Sequence, residues 1–417
     1  MSELAHLQLT ALNRLVAAIG PTNRFYRGKL AAADGLAGFR SLAEFSARMA
    51  FTTKDELARD QIENPPYGST LTYPQETYTR YHQTSGTSGR PIIWLDNNES
   101  WQWLLDNWRE IWKSAGAQPG DAAFFAFSFG PFLGFWTAFD SGQQLGLRTI
   151  PAGGMSSSER VRFLLARRPR ILCCTPTYAL RLADVARQEG FDLRDSGVQC
   201  VMVAGEPGGS VPEVRARIEQ SWPGARVVDH HGMTEVGPVS FGDPADPTRL
   251  RIMHDRYFAE VLQPGTNDPV APGESGEFVL TTLGRAACPL LRYRTGDLVR
   301  AIAVPGEDPA RFVLAGGILG RVDDMVIVRG VNLYPAAMDA AIRAHGGVRE
   351  YQVEIDQRST LPEVRVRFEA IDEAGLASAD LAKHLRVAFQ MRIEVEKVAN
   401  GVLPVFEFKA RRWKILK

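Results

Sequence analysis

From about residue 120 to 230 short, almost wholly apolar runs alternate with helix-length amphipathic stretches. The runs at 123–128, 171–174, 200–204 and 226–229 predict strands. Strands that are apolar on both sides need a helical layer over each face. Right-handed crossovers then make the sheet parallel and bring its carboxyl ends to one edge, the edge where open α/β sheets bind ligands. Gly205-Glu206-Pro207-Gly208-Gly209 follows one predicted strand and His230-His231-Gly232-Met233-Thr234-Glu235 the next. Ahead of this section, Leu4, Leu7, Ala11, Leu15 and Ile19 recur at helical spacing until Gly20-Pro21, predicting an N-terminal helix with one docking face. Residues 251–303 carry β-branched and aromatic residues between Pro-Gly and Asn-Asp turns, which predicts a more antiparallel section. Beyond residues 320–324 the pattern restarts with a helix after Pro335, a strand at 364–368 and a helix near 381–391. The expected fold class is α/β. A large N-terminal domain, 1–322, would hold parallel-sheet α/β subdomains and a β-rich section, and 323–417 would be a small, mobile α+β domain with ligand between the two.

Length and charge narrow the functional classes. A chain of 417 residues, 45% hydrophobic and 23% charged, can bury a sizeable core and is neither disordered nor fibrous. Lys plus Arg equals Asp plus Glu at 48 each, so bulk charge offers nothing to a nucleic-acid backbone, and any anion site must be local. Cys173, Cys174, Cys200 and Cys288 show no framework spacing. The first twenty residues lack a secretory pattern, and no apolar run approaches the roughly 18 residues of a membrane span. The expectation is a cytoplasmic protein with no nucleic-acid or membrane partner, its oligomeric state left open between monomer and homodimer.

The densest chemical signal is Thr84-Ser85-Gly86-Thr87-Ser88-Gly89-Arg90-Pro91, six hydroxyl or glycine residues ending in a cation. Glycines let successive amides converge on an anion, hydroxyls donate further hydrogen bonds and the cation neutralises what remains, so the stretch suits phosphate. It lacks the spacing of a Walker loop. A flexible surface turn is the bland alternative.

Thr84 to Pro91 resembles the phosphate loop of the adenylate-forming superfamily of acyl-coenzyme A synthetases, nonribosomal adenylation domains and luciferases. Four further segments agree in order. Gly232-Met233-Thr234-Glu235 resembles the Gly-x-Thr-Glu element and Tyr293-Arg294-Thr295-Gly296-Asp297 the Tyr-x-Thr-Gly-Asp element. Gly320-Arg321-Val322-Asp323-Asp324 with Arg329-Gly330-Val331-Asn332-Leu333-Tyr334-Pro335 resembles the hinge region, and Phe408-Lys409-Ala410-Arg411-Arg412 the terminal lysine element. Within the superfamily the chain is most similar to the short phenylacetate-coenzyme A ligase branch.

The resemblance implies ATP, magnesium and coenzyme A as reactants, with an acyl-adenylate intermediate. Glu235 would hold the magnesium ion, and Thr234 and Lys409 would join it in catalysis, the lysine between carboxylate and α-phosphate. Thr84, Ser85, Gly86, Thr87, Ser88 and Gly89 would cradle phosphates. Asp297 would bind the ribose hydroxyls, Arg321 would reach ribose and phosphate, and Gly205, Glu206, Pro207, Asp229 and His230 would surround the nucleotide. Asp323 would be the pivot between an adenylating and a thioester-forming pose, with Gly330 and Tyr334 lining a tunnel for coenzyme A. Two departures stand out. Ser88 and Arg90 replace the Thr and Lys of many relatives, and Phe408 precedes Lys409 where glycine is usual, which leaves Lys414 as a second reading of the lysine.

Phe129, Phe132, Phe135 and Trp136 follow the first predicted strand and, with Ala204, His231 and Gly232, would wall an aryl-acid pocket; plain core packing is the competing reading. One of the adjacent histidines would meet an amino or hydroxyl substituent. His254 with Cys288 supplies at most two zinc ligands, so no zinc is expected. The reading is an aryl-acid:coenzyme A ligase acting on phenylacetate, benzoate or an amino- or hydroxybenzoate. Two alternatives stay open: loading of a phosphopantetheine carrier protein, and a catalytically silent nucleotide-binding relative.

Overall fold

A computed structural model describes residues 2–84, 91–322, 326–328, 331–356, 363–372, 377–404, 406 and 412–416. One 11-stranded sheet organises the larger part. Its parallel section runs Arg148–Pro151, Ala122–Phe125, Ile171–Cys174, Cys200–Val203, Arg226–Met233. Antiparallel strands continue it through Gly237–Gly242, Arg249–Ile252, Phe312–Arg321, Tyr293–Ala303, Ser275–Thr282 and Tyr257–Leu262. The four expected parallel strands are present, the first ending at Phe125 rather than at residue 128. The half-exposed edge strand Arg148–Pro151 escaped the pattern, because an edge strand need not be apolar.

Two layers of side chains cover the parallel section. On one face the helix Asn98–Ser114, capped by the Asn97 side chain on the Ser100 N–H, buries Trp101, Leu104, Leu105, Trp108, Ile111 and Trp112. This three-and-four spacing turns one face to the sheet, each large side chain contributing roughly 1.5–3 kcal/mol on burial. Helices Ser157–Arg167, Pro176–Gln188 and Pro212–Ser221 close the opposite face with Val161, Leu182 and Ile218. The N-terminal helix Glu3–Ile19 is present, but its packed face is Leu4, Leu9, Leu12, Leu15, Val16 and Ile19. Leu7, expected inward, is exposed because Gln8 takes the inward place and donates to the His254 and Tyr257 carbonyls.

The last hundred residues form a separate sheet in the order Glu394–Val398, Glu363–Ala370, Val348–Asp356, Trp413–Leu416. Helices Pro335–His345 and Ser378–Phe389 complete it, and Met338, Ile342, Val353, Val366, Phe368 and Leu385 build a core of its own. The helix Pro335–His345 also touches the strand Phe312–Arg321 and the helix Pro212–Ser221 of the larger part. No described helix is long and apolar enough to cross a membrane.

Candidate active site

Where the carboxyl ends of the parallel strands face the small domain lies a cavity of about 620 Å³, within the range of small-molecule sites. Gly205, Glu206, Pro207, Asp229, His230, His231, Gly232, Asp297 and Arg321 line it from the large domain, and Pro335, Asp339, Arg343, Tyr351, Arg412 and Trp413 from the small one.

The strand Arg226–Met233 sorts the site by its period of two. Val227, Asp229 and His231 fall on one face, Val228 and His230 on the other, so that Val227 packs with the helices behind the sheet and Val228 with Trp108 and Trp112 in front. On the first face Asp229 accepts a 2.7 Å bond from the Ser210 hydroxyl, and burial pushes its carboxyl up to about 6 despite that bond. Gly209 makes the approach feasible: a Cβ there would lie 2.5 Å from the Asp229 Cγ. His231 Nε2 stands 3.0 Å from Asp297 Oδ2, and Arg321 donates to Asp297 Oδ1 at 3.1 Å and to the Thr295 carbonyl at 2.8 Å. Asp297 and Arg321 are direct partners on neighbouring antiparallel strands, which fixes the pair. Burial pulls the Asp297 carboxyl upward, but His231 and Arg321 outweigh it and hold it below the ordinary value.

The two histidines therefore have different surroundings. His231, expected against the acid, belongs to the Asp297 cluster. His230, expected beside the nucleotide, stands edge-on to Trp108 at 4.5 Å and Phe135 at 6.0 Å between ring centroids. Among the described residues neither of its ring nitrogens has a hydrogen-bond partner; the His231 backbone comes near without bonding geometry. Burial, then the neighbouring His231, lowers its pKa to about 3, so the ring is neutral.

Thr234 and Glu235 occupy a tight turn to Gly237–Gly242. Glu235 is buried. The turn is held by Arg285, which sequence reasoning missed. Fully buried, it donates to the Glu235 carbonyl at 2.7 Å, to the Thr234 carbonyl at 3.2 Å, and through both remaining nitrogens to Asp96, at 2.8 and 2.5 Å. Asp96 lies on the strand Ile93–Asn97, antiparallel to Tyr78–Gln83, and the candidate phosphate loop joins these two strands. Only tertiary pairing could have revealed this link across 189 residues.

Thr84 closes that hairpin, its N–H donating to the Ile92 carbonyl and its hydroxyl accepting from the Ile92 N–H, both at 2.9 Å. Ser85, Gly86, Thr87, Ser88, Gly89, Asp323, Gly330 and Lys409 lie outside the described residues. Glu206 turns its carboxylate back to accept from the Thr177 N–H, capping the helix Pro176–Gln188. Tyr334 is half-buried at the start of the helix Pro335–His345. Lys414 is exposed on the strand Trp413–Leu416 and does not line the cavity.

The structure separates the four residues expected in the aromatic wall. Phe132 is 36% exposed, because the segment after Phe125 is an open loop that turns this ring to solvent. Phe135 is a core residue in edge contact with Phe125 and Phe127. Phe129 and Trp136 remain half-buried in edge contact at 4.7 Å, the indole donating to the Gly130 carbonyl, and Ala204 packs against the same cluster. His254 is engaged by Phe312 and Cys288 by Thr70. Among the described residues no group of three or more His, Cys, Asp or Glu gathers to hold a metal.

Comparison with known proteins bears on this site. Residues 78–286 match the AMP-binding enzyme family and 330–414 the AMP-binding enzyme C-terminal domain. The chain belongs to the AMP-binding enzyme family. It is 32% identical over 371 residues to the phenylacetate-coenzyme A ligase of Thermus thermophilus, covering 88% of this chain and 81% of that enzyme. The counterpart from Pseudomonas putida is 31% identical, covering 90% and 85%. Among solved structures, 2-hydroxyisobutyryl-CoA ligase in its postadenylation state superposes with a TM-score of 0.90 at 30% identity over 98% of this chain and 88% of that one. The same ligase in its thioesterification state gives 0.73 at 30% identity over 99% and 90%. The domain arrangement of this AMP-binding enzyme thus follows the postadenylation pose.

Proposed function

We propose that this chain joins a carboxylic acid to coenzyme A at the expense of ATP, releasing AMP and pyrophosphate through an acyl adenylate, and that the acid is an aryl acid. The observation that carries the reading is the cluster of His231, Asp297 and Arg321 with Asp229 at the carboxyl edge of the parallel strands, closed over by the small domain.

The chemistry is chiefly positioning and charge management. The acid's carboxylate attacks the α-phosphorus and pyrophosphate departs; the thiol then attacks the acyl carbonyl and AMP departs. Asp297 is ionised and aimed at the cavity, suited to the ribose hydroxyls once His231 and Arg321 yield part of its lone pairs. Asp229 and the 205–207 backbone frame the base. Residues 84–89 would receive the phosphates and Lys409 the charge growing on the α-phosphoryl group. The single buried carboxylate of Glu235 fits magnesium, which typically takes one or two protein carboxylates together with substrate phosphates, and when bound the ion would neutralise the departing pyrophosphate. The aryl preference draws on Phe129 and Trp136, half-buried in edge contact with each other against the aromatic cluster that holds Phe125 and Phe139.

A panel of carboxylic acids read out as AMP release, with and without coenzyme A, tests all of this together. Acid-dependent AMP release stimulated by coenzyme A is expected, largest with aryl acids. Turnover that needs a carrier protein instead would replace the acceptor, and no AMP with any acid would end the reading.

A further inference from the structure

We propose that His230 is a specificity-determining residue that hydrogen-bonds a hydroxyl or amino group carried by the acid, so that polar-substituted aryl acids are the preferred substrate class. The inference rests on the ligase reading above and deepens it.

His230 borders the cavity, is 7% exposed, and has no hydrogen-bond partner on either ring nitrogen among the described residues. A neutral imidazole carries one N–H and one lone pair, and nearly all buried polar atoms find partners, so two vacancies on one ring need an explanation. Packing alone does not give one. At the seam between Trp108 and Phe135 an apolar side chain of similar volume would fill the same space without leaving polar atoms unmatched.

On the strand's other face His231 Nε2 has its partner in Asp297 and Asp229 has one in Ser210, leaving His231 Nδ1 as the unmatched atom there. Of the two rings His230 alone lacks a partner on both nitrogens among the described residues, and it is the one that meets the aromatic cluster, where an aryl ring would lie. An imidazole with one donor and one acceptor complements a hydroxyl, which is both, or an amino group. It offers nothing to a bare ring edge. Sites that hydrogen-bond a substrate group discriminate strongly against the analogue lacking it, because the buried polar atoms are then left unpaired.

The test measures kcat and KM of the full-length protein for benzoate and phenylacetate beside their hydroxy and amino derivatives, and for a small 2-hydroxy alkanoate. The wild type is expected to favour at least one hydroxy or amino aryl acid over its parent by about tenfold or more in kcat/KM, mainly through KM. His230→Phe should remove or invert that preference while still turning over the parent acid, and His230→Asn should restore part of it. A wild type that prefers the unsubstituted parents overturns the proposal even if His230→Phe fails to fold. So does a His230→Phe variant in which parent and derivative fall equally. Preference for the small 2-hydroxy alkanoate, lost in His230→Phe, would sink the aryl reading while keeping the role of His230. Absence of AMP release with every acid would sink the ligase reading itself.

Discussion

At the residue scale, the pair of adjacent histidines shows how a one-position step decides chemistry. The sequence places both at the end of one strand, but only the strand's register tells which meets a carboxylate and which meets aromatic rings. Asp229 carries a testable consequence. Its folded carboxyl is raised to about 6, so the proton is held more tightly in the folded state. Stability from this group is therefore fully present below about pH 4, falls as pH rises, and is lost above about pH 6, by up to about 3 kcal/mol. Asp229→Asn, which keeps an acceptor for Ser210, should exceed the wild type in urea stability near neutral pH and match it near pH 4. Equal stabilities at both pH values would show that the carboxyl is not strained by burial. The aromatic residues give a second contrast: Trp136→Ala should change the ranking of acids, whereas exposed Phe132→Ala should leave it intact. A change with Phe132 and none with Trp136 would reverse the assignment.

At the scale of elements, Arg285 ties the hairpin that carries the candidate phosphate loop to the turn that carries Thr234 and Glu235. Removing one partner leaves a buried charge, so Asp96→Ala should cost on the order of 3–5 kcal/mol. The double change Asp96→Leu with Arg285→Met should regain most of that stability, since buried pairs exchange well for apolar volume. Acid-dependent pyrophosphate exchange should nevertheless stay depressed by up to about 10²-fold, because Glu235 loses the guanidinium that fixes its backbone. Full activity in a stable double variant would reduce Arg285 to a packing residue. This clamp was invisible in the sequence. Asp96 lies in a strand and Arg285 in a loop, and neither belongs to a motif.

At the scale of the whole molecule, the small domain sits in the postadenylation pose with guanidinium groups gathered at its contact with the large domain. Arg217, on the helix Pro212–Ser221, has its pKa lowered by burial and then by Arg343; Glu350 and Asp184 pull it upward, ahead of a smaller lowering by Arg412, and the net direction is down. Arg343 is paired with Asp339 and Arg412 with Glu350, yet no hydrogen bond or ion pair is found for Arg217 among the described residues. Arg217→Ala should therefore favour this pose and slow thioester formation from supplied acyl adenylate a few-fold, leaving pyrophosphate exchange unchanged. Asp323→Pro, by restricting the proposed pivot, should spare the first half-reaction and impair the second. Lys409→Ala should do the opposite, losing the first by about 10²-fold or more and keeping the second. Loss of both half-reactions in the lysine variant, or an unaltered second one in the proline variant, would remove the two-pose account.

The sequence by itself determined the parallel strands, the antiparallel section, the small α+β unit and the family, because periodicity and short motifs are local properties of the chain. Tertiary structure alone decided which face each site residue occupies, that Phe132 is at the surface, that Leu7 yields its place to Gln8, and that Asp96 reaches Arg285. Those outcomes depend on register and on contacts between residues far apart in the chain, and a linear pattern records neither.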